Sequence, residues 1–365
     1  MAVSDLGNRP HHFAIVLIPK FSMISFAATL DTLRIANRGQ ETPLFTWELL
    51  SQDGEPVTCS NGLPVAMDGP LKDLSRHDSL IVCSSFQVEN HETKTLLNWL
   101  RRQDRLGVNI GAVCTGTHLL AAAGLLNSYR CCIHWENIAA FRERFTEIDV
   151  TAMLFEIDGR RFTCAGGTAP IDMLLCMIAE VSDRSTALWV ADSLVHTPPR
   201  DANTHQRIPL PARIGTRHPK LATLVGTMEE TLEEPLSVAE LARQAGITPR
   251  QVERLFQRYI GYSPKKYYLE LRLHRARQLL MQSSRPVMDI AVACGFSSSS
   301  HFARCYRTLF KKSPLAERSL GDIEDRSGSA HRQRESHPDP IPALSVDDQA
   351  DLALLELKKH PNRVG

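Results

Sequence analysis

A repeat constrains this chain more than any other feature. Residues 236–264 (LSVAELARQAGITPRQVERLFQRYIGYSP) and 285–314 (RPVMDIAVACGFSSSSHFARCYRTLFKKSP) carry one pattern twice. Aligning Ala245-Gly246-Ile247 with Cys294-Gly295-Phe296 places Val238, Leu241 and Ala242 on Val287, Ile290 and Ala291. One inserted residue later, Val252, Leu255, Phe256, Tyr259 and Ile260 fall on Phe302, Cys305, Tyr306, Leu309 and Phe310. Each of these two sets is spaced i, i+3, i+4, i+7, i+8, the apolar stripe of one α-helix.

Each copy reads as a short helix, a turn and a longer helix. Ser237 caps the first helix, and Gly246 follows where a left-handed residue closes it. Thr248-Pro249 opens the next, with Thr248 as N-cap and proline at the first helical position. This order of signals is a helix-turn-helix. Away from its stripe the first copy presents Arg250, Gln251, Glu253, Arg254 and Arg258; the second presents Ser299, Ser300, His301, Ala303, Arg304 and Arg307. Arginine reads guanine bidentately, and Ser, Gln and His bond base edges or phosphates. One such helix alone would read as a solvated face; two matched copies favour DNA.

Between the copies, residues 263–282 carry Leu269, Leu273, Ala276 and Leu280 at spacings of four, three and four. That predicts one helix about 30 Å long at 1.5 Å per residue, close to the roughly 34 Å of a DNA turn. Such a spacer sets two recognition helices in successive major grooves. Residues 237–318 hold fifteen Lys/Arg against five Asp/Glu, while the 365-residue chain has a net charge of only +1. The basic block suits phosphate contact, and the remainder, being acidic, has another task. At these residues the stretch resembles the AraC/XylS family of bacterial transcription regulators. The resemblance implies base contacts from Arg250, Glu253 and Arg254 in the first unit and from Ser299, Ser300, His301 and Arg304 in the second. Glu253 is acidic where a base reader is expected, which implies a cytosine amino group or orientation of Arg254.

Ahead of this block, short apolar runs at 13–19, 45–51, 80–83 and 108–113 read as buried strands. Helices are predicted over 21–37, 91–102, 117–123 and 168–181, and 153–157 with 161–164 flank Asp158-Gly159 as a hairpin. Alternating strands and helices predict an α/β, flavodoxin-like parallel sheet with helices on both faces, followed by an all-α domain. Ligands bind such sheets at the carboxyl ends of strands. The richest such end is GAVCTGTHLLAAAGLL from Gly111. Cys114 lies there at a nucleophile-elbow position, where a helix N-terminus is expected to lower a thiol pKa.

That stretch, with CCIHWEN (131–137) and FTCAGGTAPIDMLL (162–175), resembles the class I glutamine amidotransferase-like, or ThiJ/PfpI, superfamily over most of 13–195. Protease-like members have histidine after the cysteine; this chain has Thr115. The family's acid near the cysteine falls on Ser25. His134 is left as a candidate base, so sensing is expected rather than turnover. The alternative is a cysteine-dependent amidase or hydrolase fused to a DNA-binding domain. Residues 36–65, the HWEN stretch and HQRIPL (205–210) resemble a branch of two-domain regulators that respond to arginine, glycine betaine or carnitine. The resemblance implies a small amino acid or quaternary amine as effector. A cationic head group wants a carboxylate or an aromatic face, which Glu136 and Trp135 supply. The candidate pocket is therefore Cys114, Thr115, His134, Trp135 and Glu136.

Nine cysteines, an odd number with no CxxC pair, indicate reduced thiols and a cytosolic protein. The first residues lack an apolar core and no run approaches 18 apolar residues, so neither signal peptide nor membrane span is expected. No cofactor or metal is expected. The predicted division is a sensing domain over 10–195, a proline-rich linker over 196–217, a DNA-binding domain over 218–320 and a mostly disordered tail over 321–365, with a short helix at 344–359. Expected partners are double-stranded promoter DNA, the effector, RNA polymerase and a second copy of the chain, in an activator of catabolic genes; a repressor is the other reading, and the sequence does not separate the two.

Overall fold

The computed structural model describes residues 9–207, 218–283 and 285–323; the expected tail helix lies outside them, as do ten residues of the expected linker. Backbone contacts divide the chain into two units, the first running to Arg207.

In the first unit seven strands form one sheet: β1 His11–Leu17, β2 Phe45–Ser51, β5 Gly69–Pro70, β6 Ser79–Ser84, β7 Asn109–Cys114, β10 Phe155–Asp158 and β11 Arg161–Cys164. Their order is β10-β11-β7-β6-β1-β2-β5. The β10–β11 hairpin is antiparallel and the other ladders of this sheet are parallel. Phe13, Ile15 and Leu17 point into one core and Ala14, Val16 and Ile18 into another. Burial on both faces is why this strand is written as an unbroken apolar run. Helices α1 Met23–Arg38, α5 Ala169–Val181 and α6 Arg184–Ser193 cover the first core; α2 Lys94–Leu106, α3 Gly116–Ala122 and α4 Ile138–Arg144 cover the second. Two-residue ladders β3 Val57–Thr58 with β4 Pro64–Val65, and β8 Cys131–Cys132 with β9 Val150–Thr151, complete the unit.

Residues 196–207, expected as linker, form a strap on this unit. Its anchor is Asp172 of α5, whose side chain is fully buried. His196 Nε2 lies 2.8 Å from the carboxylate, the Arg200 amide donates to it at 2.6 Å, and the Arg200 guanidinium donates twice. A carboxylate taken out of water must be paired in this way. Farther on, the Leu154 amide donates to the Thr204 carbonyl at 2.8 Å, and Gln206 Nε2 donates to the carbonyls of Ile133 and Met153, each at 2.9 Å.

The second unit is helical: α7 Pro219–Glu230, α8 Val238–Ala245, α9 Pro249–Tyr259, α10 Pro264–Gln282, α11 Val287–Ala293, α12 Ser299–Phe310 and α13 Pro314–Ile323. The repeat in sequence is a repeat in space. Gly246 and Gly295 close α8 and α11 with φ of +63° and +74°. Ser237 with Glu240, and Thr248 with Gln251, form complete capping boxes, each satisfying two orphan groups of a helix start. The connector α10 serves both copies. Its Tyr267, Tyr268 and Leu271 join the core of Leu241, Val252 and Phe256, while Leu273, Ala276 and Leu280 join that of Ile290, Phe302 and Tyr306. At 3.6 residues per turn the two sets lie on roughly opposite faces of α10. Arg272 then pins the second turn, its guanidinium donating to the carbonyls of Cys294 and Gly295 and stacking 4.2 Å over Phe296.

Candidate effector pocket and nucleic-acid interface

Cys114 is the last residue of β7 and has φ +59°, a left-handed backbone that costs a non-glycine residue energy. The turn into α3 closes because its neighbours lack side chains. A Cβ at Gly116 would stand 2.2 Å from the Val82 carbonyl oxygen, and one at Gly166 would stand 2.6 Å from the Cys114 Cβ. The elbow expected from the sequence is present, but its chemistry differs. Cys114 is 6% exposed, and burial pushes its thiol up to about 11. Hydrogen bonds with Ser85 and the Thr115 backbone pull it down by less, and the Glu136 carboxylate adds to the rise. The lowering expected from the helix N-terminus is therefore outweighed by desolvation. The thiolate is the attacking form, and burial of this thiol disfavours it.

The neighbours are also committed to structure. Thr115 Oγ1 donates to the Ser85 carbonyl at 2.5 Å. Ser25, fully buried, accepts from the Gly167 amide at 2.8 Å, so it stands beside the elbow as a structural hydroxyl. His134 Nδ1 faces Glu136 Oε2 at 3.6 Å; burial lowers the imidazole pKa and Glu136 opposes this. Among the described residues no hydrogen bond joins His134 to Cys114. Cys114 and Thr115 are thus buried, while half-buried His134, Trp135 and Glu136 are open to solvent in part.

These three belong to the turn after β8, which is held from two sides. The Cys132 amide donates to Thr163 Oγ1 at 2.9 Å, and Thr117 Oγ1 donates to the Cys132 carbonyl at 2.8 Å. The rings of His134 and Trp135 are 5.7 Å apart. The Arg207 guanidinium lies 4.6 Å from the Trp135 ring centroid. Arg207 is absent from the residues singled out above, since no periodicity marks it; the HQRIPL stretch that contains it was the available signal.

In the second unit Arg250, Glu253, Arg254 and Arg258 are exposed on α9, opposite buried Val252 and Phe256. Arg258 stacks on Tyr259 at 5.5 Å. Gln251, expected on the DNA-facing side, uses Oε1 in the cap: it accepts from the Thr248 amide at 2.8 Å and from Thr248 Oγ1 at 3.1 Å. Its pattern, T-x-x-Q, is the sequence sign of that role. On α12, Ser299, Ser300, His301, Arg304 and Arg307 are exposed opposite Phe302 and Tyr306. His301 Nε2 is 3.3 Å from Cys305 Sγ. Among the described residues no group of three or more His, Cys, Asp or Glu is placed to hold a metal ion. Nor is any described helix long and apolar enough to cross a membrane.

Comparison with known proteins covers both units. The helix-turn-helix domain family matches residues 241–319, and the DJ-1/PfpI family matches residues 12–180. The HTH-type transcriptional regulator GbdR of Pseudomonas aeruginosa is 41% identical over 316 residues, 87% of this chain and 86% of its own length. CdhR of the same species is 42% identical over 308 residues, 84% of this chain and 91% of its own. ArgR, also from that species, is 36% identical over 323 residues, 88% and 96% respectively. CdhR and ArgR bear the same description, HTH-type transcriptional regulator.

Proposed function

Since the chain belongs to the AraC-type family of helix-turn-helix transcriptional regulators that carry a DJ-1/PfpI unit, we propose that it activates catabolic genes in response to a small cationic metabolite. It is a DNA-binding regulator and not an enzyme. The effector class is a small amino acid or quaternary amine, such as glycine betaine, carnitine or arginine. It binds at the residues Cys114, Thr115, His134, Trp135 and Glu136. The burial of Cys114 carries this reading, because it disfavours the thiolate that a cysteine nucleophile needs.

DNA is read by Arg250, Glu253, Arg254 and Arg258 on one helix and by Ser299, Ser300, His301, Arg304 and Arg307 on the other, with Gln251 holding the first helix start. Sensing belongs to residues 10–195, with the strap appended to it, and DNA binding to 218–320; 321–365 is a tail. The protein acts in the cytoplasm as a homodimer on paired sites and contacts RNA polymerase there. Effector binding shifts the population of arrangements and so promoter occupancy.

Thermal melting against glycine betaine, carnitine and arginine tests the effector assignment, since a ligand bound only by the native state raises the melting point by mass action. The expected result is a selective upward shift from one compound, recovered intact. Consumption of the compound, lost in Cys114→Ser, would instead return the amidase reading.

A further inference from the structure

The Trp135 face already holds a cation, and that cation is the chain's own. We propose that Arg207 is a built-in competitor of the effector: the cationic head group takes the Trp135 face from the Arg207 guanidinium and so disturbs the strap end that leads into the DNA-binding unit. The proposal rests on the effector assignment above and adds the regulation of that site.

Three observations carry it. The Arg207 guanidinium lies 4.6 Å from the Trp135 centroid, within the range where a ring face attracts a cation, and Arg207 is exposed while Trp135 is half-buried. A quaternary ammonium or a second guanidinium presents the same charge to the same ring. The next residue in the chain, Glu136, has its carboxylate 3.6 Å from His134 Nδ1, so the turn that presents the ring also carries a negative charge for a cation from the chain or from solution. Finally, the strap end is held imperfectly. Gln206 Nε2 bonds two carbonyls, yet its buried Oε1 accepts no hydrogen bond among the described residues. A buried acceptor left empty weakens the seat that holds Arg207 in place.

The site is thus in exchange between two cations. With Arg207 on Trp135 the site is closed to the effector; with the effector on Trp135 the guanidinium is displaced. Residue 207 immediately precedes the segment that joins the two units in sequence, so displacement is felt where the chain passes on to its DNA-binding half. At exposed-site strength, the internal contact holds back effector affinity by a factor of about three to six.

The test is calorimetry on the full-length protein with tetramethylammonium, glycine betaine and arginine as probes. Arg207→Ala should bind the best probe about three- to sixfold more tightly, while Arg207→Lys, which keeps a competing cation, should stay near wild type. Trp135→Ala should lose binding and Trp135→Phe should retain part of it. Unchanged or weaker binding by Arg207→Ala, with Trp135→Ala still losing the probe, overturns the competition and leaves the effector site standing. Binding that survives Trp135→Ala, or no binding of any probe by the wild type, overturns the site and the competition together.

Discussion

At Cys114 two effects act on one proton. The start of a helix favours the thiolate, and burial favours the thiol; with the thiol pushed up to about 11, burial wins. Iodoacetamide at neutral pH should therefore label exposed Cys176 in the native protein and spare Cys114. Peptide mass mapping after a short exposure measures both, and equal modification would show that the elbow is open. On the DNA side Arg304 stands exposed on α12 with no burial to hold it back. Its loss in Arg304→Ala should weaken binding to a target promoter by about 1–3 kcal/mol, read by fluorescence anisotropy. Unchanged affinity would remove it from the reading set.

Elements separate what residue types dictate from what their surroundings decide. Gly246 and Gly295 close equivalent helices in equivalent left-handed turns, but an added Cβ at Gly246 meets only Lys220 Nζ at 3.7 Å. At Gly295 it meets the Leu232 carbonyl and the Pro235 ring at 2.7 Å. Gly246→Ala should cost about 1–2 kcal/mol from the backbone alone, and Gly295→Ala about 1–3 kcal/mol more from the clash. Urea unfolding of the two variants compares them directly; equal losses would mean that the Leu232–Pro235 contact yields freely. The same contrast explains how much could be read from the chain itself. Stripes, caps and closing glycines are local, so the helix-turn-helix copies, their connector and the central strands were legible. Ladders of two residues have no period to read, so nothing in the chain announces them. The strap reads as linker in sequence because Asp172, its anchor, lies 24 and 28 residues from His196 and Arg200. The elbow was legible at Cys114, whereas the burial that silences it comes from Gly166 and other residues far along the chain.

The whole molecule registers its buried imidazoles as a dependence on acid. His11 is 2% exposed, and burial, with His12 and His77 nearby, lowers its pKa to about 4. In the unfolded chain it titrates near 6.5, so between those values the unfolded state binds more protons. Stability is then complete above about pH 6.5 and falls as the pH drops toward 4, by roughly 3 kcal/mol at most for this one group. Glu92, held below its usual range by Arg144 and His118 despite its burial, loses its contribution in the same direction. As the pH is lowered from 7 to 4, melting points should fall less steeply for His11→Gln, which does not ionise, than for wild type. Parallel curves would assign the acid sensitivity to other groups.

The connector α10 has a consequence for how such a protein changes over time. Because Leu271 and Leu273 serve different cores, one residue inserted between them would rotate one reading head by about 100° against the other and lift it by about 1.5 Å. On the reading faces proposed above, substitutions alter which letters are recognised and leave that geometry alone. A lineage built on this helix is free to revise its vocabulary but not its line spacing, so new promoters must come to the protein with their two half-words already the right distance apart.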